Sequence, residues 1–180
     1  MPKLYFFQGP MHSSKTAALI SVANNYEILG KKVLVLKPRL DTRDTNVTSR
    51  TGASHRVDYY LDRETIIPDT WLVDIVCVLV DEAQFLSSEV VEQLRDITIK
   101  QNIPVICYGL RTDYQLKLFE GSKRLLELAD SIEEYKTICA SCVLRKAIVN
   151  HRKVKIEGQI IVGDSIYESI CYSCFKEKTI

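Results

Sequence analysis

Leu4-Tyr5-Phe6-Phe7-Gln8-Gly9-Pro10-Met11-His12-Ser13-Ser14-Lys15-Thr16 is the stretch on which the fold of this 180-residue chain turns. An apolar run ends in a loop that begins with glycine, and the loop re-enters a predicted helix at Lys-Thr. Such a turn aims backbone N–H groups, a helix dipole and one ammonium at a single point. That point suits the β- and γ-phosphates of a nucleotide, so Gly9, Pro10, Met11, His12, Ser13, Ser14, Lys15 and Thr16 are the candidate nucleotide-binding residues. The pattern follows GxxxxGK[ST] except at Ser14, where glycine is expected. A β-carbon there costs about 1 kcal/mol if the loop needs positive φ, and nucleotide binding is expected to survive it.

Outward from this loop, short apolar runs alternate with helix-like segments. Residues 16–29 carry Ala17, Ile20, Ala23 and Ile28 near helical spacing, and Gly30 supplies a stop. Further strands are predicted over 33–36, 75–80 and 104–110, a helix over 89–100 capped by Ser87 or Ser88, and a short helix over 122–128. Near-continuous β-branched runs bounded by helices predict an α/β fold, a P-loop NTPase-like parallel sheet covered on both faces. The polar segment 37–57 lacks a period and reads as a ligand-shaped loop, with 44–56 expected to be disordered without nucleotide.

The strand over 75–80 ends abruptly in Asp81-Glu82-Ala83-Gln84-Phe85. In a phosphate-binding fold, an aspartate at such a strand end lies beside the loop and holds Mg²⁺ together with the Thr16 hydroxyl. The neighbouring glutamate is then free to take a proton from an attacking hydroxyl or water. The plainer reading makes Asp81 and Glu82 the start of a turn; the phosphate-loop pattern upstream favours the metal-site one. Asp81, Glu82, Ala83 and Gln84 therefore join the nucleotide-binding candidates.

Four of the six cysteines form two CxxC pairs, Cys139/Cys142 and Cys171/Cys174, with residues 143–170 between them. Two such pairs can set four thiolates at tetrahedral corners around Zn²⁺, leaving no open position, which marks a structural site. Two local disulfides or a redox pair are the alternative. Cys77 and Cys107 lie in apolar runs and read as inert core residues. The division predicted is a nucleotide-binding domain over 1–133 and a small C-terminal zinc-ribbon and lasso domain over 134–180.

With 24 basic and 23 acidic residues, the formal net charge is +1, so no global field draws nucleic acid or an anionic membrane. No apolar run reaches the ~18 residues of a membrane span, and the N-terminus lacks a signal-like region; a cytoplasmic protein is expected. His12 reads as facing solvent or phosphate without acting as a base, His55 and His151 lie in polar segments, and with four cysteines present none is needed as a metal ligand. The run His151-Arg152-Lys153 reads as a solvated charged face.

The phosphate loop, Lys37-Pro38 with Asp41-Thr42-Arg43, the Asp81–Phe85 motif, Tyr108-Gly109-Leu110-Arg111-Thr112-Asp113-Tyr114, the four cysteines, and Tyr167-Glu168-Ser169-Ile170-Cys171 occur jointly and in order. Across nearly its whole length the sequence resembles the zinc-containing thymidine kinases. That resemblance implies transfer of the ATP γ-phosphoryl group to the 5′-hydroxyl of thymidine or deoxyuridine, giving the monophosphate for deoxynucleotide salvage. It assigns catalytic roles to Lys15, Glu82 as general base, and Arg43 near the reacting phosphate, with Thr16 and Asp81 on magnesium. Met11, Phe85, Leu110, Tyr114 and Phe119 match the wall of the thymine pocket. Residues 158–167 resemble the family's lasso, with Gly158, Ile160, Ile161, Val162 and Gly163 along it and Tyr167 closing it; Val162 stands where the family commonly has a second glycine. ATP, Mg²⁺ and structural Zn²⁺ are the implied cofactors, thymidine triphosphate the implied feedback inhibitor, and a homotetramer the implied assembly. Two alternatives from other classes stand beside this: a zinc-ribbon nucleic-acid-binding protein with a vestigial phosphate loop, and a P-loop transferase or ATPase with another acceptor.

Overall fold

The computed structural model of the chain describes residues 1–39, 45–154 and 166–178. Six parallel strands form the main sheet: β1 (Leu4–Gln8), β2 (Lys32–Pro38), β5 (Tyr59–Leu61), β6 (Ile75–Val80), β7 (Val105–Gly109) and β8 (Ser131–Glu134), in the order β5-β2-β6-β7-β1-β8. Helices α1 (Lys15–Ile28), α2 (Ser88–Lys100) and α3 (Glu120–Leu128) pack on it. Alternation along the strands divides the core in two. Leu34, Leu36, Val78, Val80, Val105 and Cys107 face α2 and α3, whereas Val33, Val35, Cys77, Leu79 and Tyr108 face α1.

The helices follow their sequence signals. Gly30 stops α1 with φ of 68°, its N–H bonded to the Glu27 carbonyl at 2.9 Å. Ser87 caps α2, its Oγ accepting from the Val90 N–H at 3.4 Å, and the helix buries Val90, Val91, Leu94 and Ile97. Each of these side chains contributes about 1.5–3 kcal/mol relative to exposure.

Regular structure also appears where periodicity predicts none. Within the polar segment, β3 (Asn46–Thr48) and β4 (Ser54–Arg56) pair as an antiparallel hairpin. Val47 and Val57 pack into the α1-side core, and His55 Nε2 meets Glu27 Oε1 of α1 at 3.0 Å. Two isolated valines and an ion pair anchor this hairpin, and neither leaves a period in the sequence. Strands β5 and β8 are short edge strands, too brief to register as apolar runs.

After β8 the chain leaves the sheet. A two-stranded antiparallel ribbon, β9 (Val149–Arg152) and β10 (Tyr167–Ile170), is followed by the short helix α4 (Tyr172–Lys178). Its core is Cys139, Val149, Ile170, Cys171 and Cys174. No helix among the described residues is long and apolar enough to cross a membrane.

Candidate active site and zinc centre

The carboxyl ends of the parallel strands gather the predicted phosphate-handling residues, the place where open α/β sheets take ligands. The loop after β1 is tied to the end of β7, the Gly9 N–H donating to the Gly109 carbonyl at 3.2 Å. Gly9 is required by packing: a β-carbon there would collide with the carbonyl of Tyr135, which crosses directly over it. The loop bends through positive φ at both His12 and Ser14, each at 64°. Ser14 thus holds the left-handed conformation that the glycine of the usual pattern adopts without penalty, and it does so as the N-cap of α1 with no side-chain capping bond. Both His12 and Ser14 are exposed.

Lys15 curls back into the loop. Its Nζ donates to the carbonyls of Gly9 at 2.9 Å and Pro10 at 2.7 Å, and to Ser13 Oγ at 3.2 Å. Burial lowers the Lys15 pKa, against the pull of Glu82 and Asp81. Thr16, one residue on, donates from Oγ1 to Asp81 Oδ2 at 3.2 Å. The end of β1 and the end of β6 therefore meet through one hydroxyl and one carboxylate.

Asp81 is 5% exposed. Burial, then the neighbouring Glu82, pushes its carboxyl up to about 7. A carboxyl raised by desolvation regains its charge beside a cation, and Thr16 and Asp81 together offer the hydroxyl and carboxylate oxygens that Mg²⁺ takes. Glu82 sits at φ 52° where the chain turns into a 3₁₀ segment, Ala83–Phe85. Gln84, read from the sequence as a nucleotide contact, is 1% exposed and lies under the site. Its Nε2 donates to Glu82 Oε2 at 2.5 Å and its Oε1 accepts the Leu110 N–H at 3.0 Å. Ala83 is likewise fully buried.

The pocket-wall candidates fall into two groups. Phe85 meets Phe119 edge-on, with ring centroids 5.5 Å apart; Leu110 joins them through Gln84 and through its carbonyl, which accepts from Ser122 Oγ of α3 at 2.5 Å. Tyr114 and Tyr167 form the other group around Arg152. The guanidinium lies 3.7 Å from the Tyr114 ring centroid and 5.6 Å from that of Tyr167, and Nη2 donates to the Tyr167 hydroxyl at 3.2 Å. This corrects the reading of Arg152 as part of a solvated face: it is 6% exposed. Flanking charges hid it, and the aromatic partners that bury it come from distant segments. Met11 joins the ribbon beside this group through its backbone. Arg43, with Asp41, and the lasso positions Gly158, Ile160, Ile161, Val162 and Gly163 lie outside the described residues.

The four predicted sulfur ligands converge. The Sγ atoms of Cys139, Cys142, Cys171 and Cys174 all lie within 4.8 Å of one another, and Cys142 and Cys171 are 3.9 Å apart. That is close to the ~3.8 Å edge of a tetrahedron with Zn–S bonds of about 2.3 Å and far from a disulfide bond; all four are free thiols. The Cys142 N–H points at Cys139 Sγ at 3.5 Å. Burial raises the Cys139 pKa, but such N–H groups outweigh it and bring the thiol down to about 6. The donor set fits zinc. By contrast burial raises Cys77 to about 12 and holds Cys107 well above the ordinary thiol range, as inert core residues require.

A phosphate loop on β1 facing two carboxylates on β6 of a parallel sheet defines a P-loop nucleotide-binding protein. The family profile for thymidine kinase matches residues 2–175. The thymidine kinase of Enterobacteria phage T4 is 44% identical over 191 residues, covering 99% of this chain and 98% of that protein. That of Haemophilus influenzae is 44% identical over 197 residues with the same coverage, and that of Chromobacterium violaceum 41% identical over 184 residues, covering 97% and 98%. Among solved structures, a chain from work on DNA unwinding at forked duplexes by Pif1 helicases overlaps at a TM-score of 0.43 and 14% identity, covering 74% of this chain and 39% of that one. The chain belongs to the thymidine kinase family.

Proposed function

We propose that this thymidine kinase phosphorylates thymidine, and deoxyuridine with it, at the 5′-hydroxyl, taking the γ-phosphoryl group of ATP and releasing ADP and the nucleoside monophosphate. The observation that carries the reading is the meeting of Thr16 and Asp81 at 3.2 Å, with Lys15 and Glu82 adjacent in sequence to each. Two strand ends that share no sequence neighbourhood bring together an ammonium, a hydroxyl and two carboxylates, which supports reading them as phosphate clamp, metal pair and base.

In the transfer, the bond between the γ-phosphorus and its bridging oxygen breaks as the 5′-oxygen forms a new one. Glu82 accepts the hydroxyl proton, and the Gln84 bond at 2.5 Å fixes the carboxylate that does so. Lys15 exchanges its loop carbonyls for phosphate oxygens and offsets charge on the moving group. Thr16 and Asp81 would hold Mg²⁺, which supplies further neutralisation of the phosphates. Arg43 steadies the reacting phosphate. Thymine, neutral and flat, takes the apolar wall of Met11, Phe85, Leu110, Tyr114 and Phe119, with residues 158–163 supplying main-chain hydrogen bonds and Tyr167 closing over it.

The remaining roles follow from the family: a domain boundary near 133/134, zinc as a structural anchor of the lasso, thymidine triphosphate as feedback inhibitor, a homotetramer, and a place in cytoplasmic deoxynucleotide salvage. ADP release from ATP and Mg²⁺, measured with and without thymidine, tests the reading. Thymidine-dependent turnover with phosphorylated thymidine as product is expected. ADP release indifferent to thymidine would point to another acceptor, and salt-dependent affinity for oligonucleotides without turnover to a binding module.

A further inference from the structure

Hydrogen bonds join the phosphate loop to the cysteine-bearing ribbon at Met11, and they use its backbone. The Met11 N–H donates to Asn150 Oδ1 at 2.7 Å, and the Met11 carbonyl accepts from Ser169 Oγ at 2.7 Å. Asn150 and Ser169 are 5% and 2% exposed, and they face each other directly across the β9–β10 pair. One rung of the ribbon therefore grips both polar groups of one peptide residue in the loop.

That rung is built on the sulfur cluster. Two residues beyond Ser169 comes Cys171, and the Ser169 carbonyl accepts the N–H of Ala140, which lies inside the Cys139–Cys142 knuckle, at 2.8 Å. The Ile148 N–H in turn bonds the Ile170 carbonyl at 3.0 Å. Hydrogen bonds thus run from both cysteine pairs to Met11. The grip also spends the Met11 N–H, so that this amide is turned to the ribbon and the loop's anion-facing donors lie elsewhere. It acts immediately before His12, the first of the two left-handed residues that shape the loop.

We propose that Asn150 and Ser169 are positioning residues that set the phosphate loop through Met11, and that they make nucleotide affinity depend on the zinc centre. The zinc unit, on this reading, serves the nucleotide as well as the nucleoside. The proposal rests on the loop's being the nucleotide site. Each hydrogen bond of this kind, when removed with its partner left in place, costs roughly three- to tenfold in the equilibrium it supports.

The test is the affinity of a fluorescent ADP analogue with Mg²⁺ for zinc-loaded protein, with zinc content and thermal midpoint measured on every sample. Asn150→Ala and Ser169→Ala are each expected to weaken binding several-fold while zinc stays bound. Ser169→Thr, which keeps the hydroxyl, recovers most of the loss. His151→Ala, on the same strand between Asn150 and Arg152 but with no part in the grip, binds as wild type does. Stripping zinc weakens the analogue for wild type and adds little for the Asn150→Ala/Ser169→Ala double variant. Zinc-loaded alanine variants that bind as tightly as wild type overturn the proposal and leave the nucleotide site standing. Wild-type protein that binds no analogue overturns the nucleotide reading, and the proposal with it.

Discussion

The sheet and the ribbon hold their functional residues by different means. On its α2 and α3 face alone, the sheet buries eighteen core residues, all of them aliphatic or aromatic apart from Cys107. The ribbon buries five, and three of those are the cysteines Cys139, Cys171 and Cys174. A unit this small lacks the apolar area to offset its own conformational entropy, and the four converging thiols are the donor set through which a bound metal would hold its shape. The lesson is that the strand ends carrying Lys15, Thr16 and Asp81 are pre-formed by ordinary packing, while Tyr167 and the rung that grips Met11 sit on a unit whose firmness, on the proposed reading, comes from a metal held by the four thiols.

The sharpest way to break this contrast is to remove the metal. Chelation, or Cys171→Ser, is expected to release amide protection across 148–152 and 167–174 while β6 and β7 keep theirs, as read by hydrogen exchange. Equal loss in both regions would show one cooperative unit.

A second test lies on the sheet side, in the pH dependence of stability. The Asp81 carboxyl, raised to about 7 in the folded chain from an ordinary value near 3.8, binds more protons folded than unfolded between those limits. Stability therefore falls as pH rises from about 4 to about 7. Asp81→Asn should flatten that slope in thermal midpoints taken without nucleotide, and an unchanged slope would place the titration elsewhere.

Ser14→Gly relieves a left-handed serine at φ 64°. A gain of about 1 kcal/mol, offset in part by the greater freedom of unfolded glycine, is expected. It would appear as a rise of roughly 2–4 °C in thermal midpoint. The smallest effect is predicted for Tyr108→Phe. The Tyr108 hydroxyl is buried with no hydrogen-bond partner among the described residues, so its removal should be neutral or stabilise by up to about 1 kcal/mol. A clear loss of stability would reveal a partner for that hydroxyl.

Legibility in the sequence divides along the same line. The end of β1, the end of β6 and the Ser87 cap were readable because each is a local pattern in which backbone geometry and residue type are tied together. The four cysteines are readable because two CxxC pairs are the local spacing that a tetrahedral metal site uses. Arg152 was not: three neighbouring charged or titratable residues suggest a solvated strand, and only tertiary structure brings Tyr114 and Tyr167 to its faces. Gln84 reads as part of the site, but its partners, Glu82 and the Leu110 N–H, lie on two different strand ends and leave no local pattern. The grip on Met11 by Asn150 and Ser169 spans 139 and 158 residues of chain and has no sequence signature. The hairpin β3–β4 reads as a loop in the sequence because its two anchoring valines, Val47 and Val57, are separated by nine residues of polar chain.

The most direct measurement compares wild type with Glu82→Gln in thymidine-dependent ADP release, with affinity for the fluorescent ADP analogue taken on the same samples. A base that removes the 5′-hydroxyl proton is worth about 10²–10⁴ in rate, so kcat is expected to fall by that order while analogue affinity stays within a few-fold of wild type. A variant that turns over near the wild-type rate would contradict the assignment of Glu82 as the base, and with it the meeting of the β1 and β6 strand ends as the place where phosphoryl transfer occurs.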